Sequence, residues 1–109
     1  MSTSSREPSL HSDALFSVGR SLWGRVTPDI RGVAYELTES TLLVRVFYDN
    51  LPSEWDLENI AVAETECIAD FWQTHEIRYT AVHLPSPLPR DIAPTELWVY
   101  LRHEFQFDG

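Results

Sequence analysis

Lysine is absent from this chain, cysteine and methionine occur once each, and glycine only four times in 109 residues. All eight bases are therefore Arg, set against seventeen acids for a formal net charge of -9. An Arg-only set of bases more often reflects a GC-rich genome than a chemical need. The sign of the charge excludes more: so acidic a surface repels phosphate backbones and anionic lipid, and attracts basic partners at a salt-dependent rate. A lone cysteine, Cys67, rules out an intrachain disulfide and fits a reducing compartment. No run of 18 apolar residues occurs, and "MSTSSREPSLHSD" has no apolar stretch after a basic start. The sequence thus predicts neither membrane insertion nor secretion, and a cytoplasmic location. GxSxG, GxxxxGKS, GxxxxGKT, GxGxxG, HExxH and CxxC are all missing, so no motif points to a catalytic residue, a cofactor or a metal.

What is present suffices for one folded domain. Apolar residues make up 43 % and aromatics 12 %, with four Trp, in a chain near the commonest single-domain length. Residues 1–11 are Ser-rich with a proline at position 8 and read as a disordered tail, leaving 12–109 as a single domain. Ser12 and Asp13 suit a helix start, and Leu15, Phe16, Val18, Leu22 and Trp23 recur at helical intervals before Gly24. Two β-rich runs, Val33 to Leu37 and Leu42 to Tyr48, flank a polar "TES" and predict a hairpin. Both faces of its second strand are largely apolar, so helices should cover one face and a partner could cover the other. Ser53 and Asp56 form a capping-box pattern opening a second helix, in which Leu57, Ile60, Ala61, Cys67, Ile68 and Phe71 fall in one arc. "EIRYTAVHL" alternates as a third strand and "TELWVYLRHEF" reads as a fourth. Between them "LPSPLPRDIAP" carries four prolines and predicts a stiff, exposed loop. The order α-β-β-α-β-β predicts an α+β fold: a two-layer α/β sandwich of about four mainly antiparallel strands with two helices on one face.

Two features of the second helix invite chemistry. Glu64 lies near the centre of its predicted apolar arc, where an unpaired ionised carboxylate costs several kcal/mol. Its expected role is a structural, buried pair with Arg45 or Arg78, both mid-strand, through a bidentate bond that fixes how the helix lies. A narrower stripe, letting Glu64 reach solvent or a partner, is the alternative. The second feature is charge: residues 53–72 hold Glu54, Asp56, Glu58, Glu64, Glu66 and Asp70 with no base, and Asp49 stands just before them. The helix dipole favours only the acids of the first turn, whereas Glu66 and Asp70 sit near its negative end. They read either as a solvated face or as a docking face for a basic partner. Trp55 and Trp72 flank the acids and suit interface anchors. The expected contact set is therefore Asp49, Trp55, Asp56, Glu58, Glu66, Asp70 and Trp72. A rival reading is a small ligand-binding or enzymatic domain using Glu64 with strand aromatics and a His83, His103, Glu104 cluster. A third is a structural homodimer closed through the apolar second sheet face.

"LWGRVTPDIRGVAYEL", "LLVRVFYDN", "AETECIADF" and, after the Pro-rich loop, "LWVYLRHE" resemble small acidic bacterial immunity proteins of polymorphic and contact-dependent growth inhibition toxin systems. The resemblance spans residues 20–104. It implies a cytoplasmic, non-enzymatic protein that binds one cognate toxin domain, often a nuclease, and blocks its active site. Such proteins are structurally diverse, so no contact residue carries over; the contacts named above rest on charge alone. Combined with the acid excess, the resemblance predicts an inhibitor of a basic toxin domain that imitates nucleic acid, needs no cofactor, and binds neither nucleic acid nor membrane.

Overall fold

A computed structural model describes residues 6–71 and 75–104. The elements run α1 (Arg6–Ser21), β1 (Ile30–Leu37), β2 (Thr41–Tyr48), α2 (Glu54–Phe71), β3 (Glu76–His83) and β4 (Leu97–Leu101), the order that the sequence predicts. The strands form one sheet in the order β3-β2-β1-β4. β1 is antiparallel to both β2 and β4, whereas β2 and β3 are parallel, so the sheet is mixed. The connections explain the difference. The Thr38 hydroxyl accepts the N–H of Ser40 and of Thr41, which reverses the chain in a tight turn. The 18-residue α2 instead carries the chain back along the sheet, so β3 starts where β2 started.

Both helices pack on one sheet face. Ala14, Val18 and Leu22 from α1 and its end, with Ile60, Ala63 and Cys67 of α2, join Val33, Tyr35, Leu42, Val44, Val46, Tyr48, Ile77 and Tyr79 in a single core. α1 begins at Arg6, within the segment read as a tail, and Ser12 lies inside it instead of capping it. Pro8 allows this, because a first-turn N–H has no intrahelical acceptor to lose. The stripe turned inward also differs from the expected one: Ala14, Ser17, Val18, Ser21 and Leu22 are buried, while Leu15, Phe16 and Trp23 are exposed. The buried serines are satisfied across the interface, Ser17 donating to Asp70 and Ser21 bonding the Tyr79 hydroxyl at 2.7 Å. Gly24, at φ 74°, supplies the left-handed residue that ends this segment.

The other sheet face is covered in part by the chain itself. Arg45 forks onto Glu96, with Nε donating to Oε2 at 2.7 Å, and Thr95 donates to Glu36. The Trp98 ring of β4 lies 5.7 Å from that of Phe47. It can do so because Gly32 has no side chain: a Cβ there would stand 2.7 Å from the Trp98 ring. The Pro-rich segment is mostly exposed, as predicted, but is pinned at its start and past its middle. Arg31 donates to the Leu84 carbonyl at 2.8 Å, and Arg90 donates to the carbonyls of Arg31 and Arg102. Glu104 is therefore committed to Arg31, Arg90 and Arg102, which corrects its place in a His83, His103, Glu104 cluster.

Candidate partner-binding surface

α2 starts at the predicted capping box. The Asp56 N–H donates to Ser53 Oγ at 3.1 Å, and the Ser53 N–H donates to Asp56 Oδ2 at 2.9 Å. Ile60, Ala63 and Cys67 face the sheet, while Leu57 and Ile68 are 48 % and 37 % exposed. The helix is thus rolled relative to the predicted arc, bringing small side chains onto the sheet and moving Glu64 from the centre of the stripe to its half-buried rim. The expected pairing of Glu64 with Arg45 or Arg78 does not form. Val44, Val46, Ile77 and Tyr79 are core residues, so strand alternation puts Arg45 and Arg78 on the sheet face away from α2. There they bond Glu96 and Glu76. Glu64 instead accepts the backbone N–H of Tyr79 at 2.8 Å.

The acids of α2 divide into two groups. In its second half Asp70 is held by Arg20 at 2.6 Å and Glu66 by Arg25 at 2.6 Å, bases that come from α1 and the turn after it. The Ser17 hydroxyl and the Arg20 guanidinium keep the Asp70 carboxyl below the usual carboxylate range. Arg25 also donates to Asn59 Oδ1, and Asn59 returns a bond to the Arg25 carbonyl. Asp49 lies at the end of the sheet, where the Ser86 N–H and Arg102 hold its carboxyl low. Asp56 is engaged in the cap. Among the described residues the Glu58 side chain makes neither a hydrogen bond nor an ion pair. Trp72 lies outside the described residues.

Arg20, Arg25, Arg31, Arg45, Arg78, Arg90 and Arg102 are all in ion pairs. Among the described residues, exposed acids that these bases do not reach are Asp13, Glu39 and Asp91 elsewhere on the surface, and Glu54 and Glu58 at the start of α2. Glu54 and Glu58 stand there beside Trp55, 60 % exposed, and Leu51, 74 % exposed. Trp55, Glu58 and Val62 share one outward stripe at i, i+3 and i+7. The sequence singles out Trp55 and Glu58 as contact candidates; Leu51 and Val62, exposed in the same region, are not among its candidates. Helical spacing from Trp55 could have found Val62, whereas nothing local marks Leu51 as exposed.

Among the described residues, shallow grooves lie elsewhere, these two among them. One, of about 370 Å³, is on the far sheet face between Glu36, Leu43, Arg45, Thr80, Ala93 and Glu96. The other, of about 360 Å³, lies between the helices, lined by Asp13, Phe16, Ser17, Arg20 and Asp70. Neither is lined by Glu64, His83 or His103. Among the described residues no group of three or more His, Cys, Asp or Glu side chains is arranged to hold a metal ion. No described helix is long and apolar enough to cross a membrane.

No curated protein matches the chain. The sequence profile of the MafI2 immunity protein family does match, over residues 11–104, a span that takes in most of α1, all of α2 and all four strands. The chain belongs to the MafI2 immunity protein family.

Proposed function

We propose that the chain is a non-enzymatic immunity protein that binds and neutralises a cognate toxin domain in the cytoplasm. The observation that carries this reading is the family match along nearly the whole folded region. A net charge of -9 favours a basic partner, and a toxin built to hold nucleic acid, a nuclease, presents such a surface.

The contact is centred on the first half of α2, with Trp55 and Leu51 as apolar anchors, Val62 beside them, and Glu54 and Glu58 supplying unpaired charge. Asp49, Asp56, Glu66 and Asp70 take a lesser part. A carboxylate already held by an internal guanidinium presents a dipole more than a net charge, and Asp56 serves the helix cap. Charge sets the rate and selectivity of encounter, while buried aromatic anchors set how long the complex lasts.

Co-expression tests the function. The C-terminal domain of a large secreted protein encoded beside this chain's gene should arrest growth alone, and growth should return when the chain is co-expressed. The two should also co-purify. Arrest that persists in the presence of folded chain overturns the reading.

A further inference from the structure

The Tyr79 amide sits in the middle of an edge strand that, among the described residues, no further strand pairs with. β3 is one of the two outer strands and pairs with β2 along its whole length, from Glu76 opposite Thr41 to His83 opposite Tyr48. The Glu76 N–H donates to the Ser40 carbonyl and the Leu84 N–H to the Tyr48 carbonyl, each at 2.8 Å. Even-numbered residues therefore bond inward. Alternation turns the amides of Ile77, Tyr79 and Ala81 outward, as the bond from Tyr79 to Glu64 confirms. Such a row of outward amides is a template for another strand.

We propose that Glu64 is an edge guard: by occupying the central outward amide of β3, it prevents the β3 strand of a second copy of this chain from pairing there. A second copy is the occupant that the edge fits. In an antiparallel two-fold pair centred on Tyr79, Ile77 faces Ala81 and Arg78 faces Thr80, so no like charges oppose one another. Leu57 and Ile68 share the flank of α2 that carries Glu64 and remain substantially exposed, giving a paired copy apolar surface to cover. Within that pair each Tyr79 amide must donate across the dyad. Both Glu64 carboxylates claim those same two amides and bring two negative charges together at the axis. The guard thus removes a donor and adds a repulsion with one side chain. It is supplied by the helix above the strand and not by the strand itself.

Hydrogen exchange on the wild-type chain, resolved by residue, reads the guard directly. The Tyr79 amide should exchange about tenfold more slowly than those of Ile77 and Ala81, although all three lie on an open edge. Exchange at Tyr79 as fast as at its two neighbours overturns the proposal. Sedimentation then reads the consequence. Glu64→Ala should form a concentration-dependent dimer of twice the 12.6 kDa chain mass, with the amides of Ile77, Tyr79 and Ala81 all slowed in the dimer. Glu64→Gln, which keeps an acceptor oxygen, should remain monomeric. A folded Glu64→Ala chain that stays monomeric overturns the proposal, as does a wild-type chain already paired through β3. Should Glu64→Ala fail to fold, the wild-type exchange comparison decides alone.

Discussion

Arg31 and Glu104 meet as a fork, Nε to Oε2 at 2.9 Å and Nη2 to Oε1 at 3.0 Å, with the Arg31 side chain only 3 % exposed. The pair ties the irregular start of β1 to the chain just past β4, and Arg102 carries the link on to Asp49 at the end of β2. Removing the acid leaves a buried guanidinium uncompensated. Glu104→Ala should therefore destabilise the fold by about 3–5 kcal/mol. Arg78→Ala, which breaks the exposed pair with Glu76, should cost about 0–1 kcal/mol. Denaturant unfolding of the two variants against wild type checks the contrast.

The same network sets how stability depends on pH. Arg31 holds the Glu104 carboxyl below its ordinary range, Arg45 does so for Glu96, Ser17 and Arg20 for Asp70, and the Ser86 amide and Arg102 for Asp49. Near the ordinary carboxylate range, about pH 4, the unfolded chain thus binds more protons than the folded one. The stability these groups contribute is present above that range and is lost as pH falls through it towards their lowered folded values. Melting temperature should accordingly fall steeply on acidification below about pH 5. Glu104→Gln should be less stable at neutral pH and show a shallower acid slope; an unchanged slope would remove Glu104 from the effect.

Gly32 is required by its neighbour more than by its own backbone. Gly32→Ala puts a methyl group 2.7 Å from the Trp98 ring and 3.2 Å from the Tyr100 carbonyl oxygen. The ring must move off Phe47 and β4 must shift away from β1. A loss of about 1–3 kcal/mol is expected, together with a change in the near-ultraviolet circular dichroism of Trp98. Unchanged stability would show that the ring has room to relocate.

Cys67 is fully buried against Ser17 and Tyr79, and burial pushes its thiol pKa up. At neutral pH a thiol-labelling reagent should leave the native chain unmodified over times in which the denatured chain reacts completely. Rapid native labelling would mean that α1 and α2 separate readily.

What could be read in the sequence was whatever is decided locally. The Ser53 and Asp56 cap fixes the start of α2 within a few residues, and the alternation in Leu42 to Tyr48 fixes which side chains share a sheet face. That same alternation already placed Arg45 with Leu43 and Phe47, on the side away from Val44 and Val46. A helix on the Val44 face is therefore on the opposite side of the sheet from Arg45, which rules out a pair between Arg45 and Glu64. The bonds from Arg20 to Asp70 and from Arg25 to Glu66 were not legible, because they depend on how α1 crosses α2. The buried face of α1 is Ala14, Ser17, Val18 and Ser21, small residues that hydrophobic periodicity underweights, with Ser17 bonded to Cys67 and Asp70 of α2. The exposure of Phe16 and Trp23 has the same cause: the inward stripe of α1 is built from small side chains while the large ones face out.

Titration calorimetry of the chain into its cognate toxin domain, across a series of salt concentrations, tests the proposed contact most directly. Trp55→Ala should weaken binding by about 2 kcal/mol or more, the range of an interface anchor. Glu58→Lys should weaken it and flatten the salt dependence, whereas Asp70→Asn, at a carboxylate already held by Arg20, should change affinity little. Full affinity in both Trp55→Ala and Glu58→Lys, with the loss falling on Asp70→Asn instead, would contradict a contact centred on the start of α2.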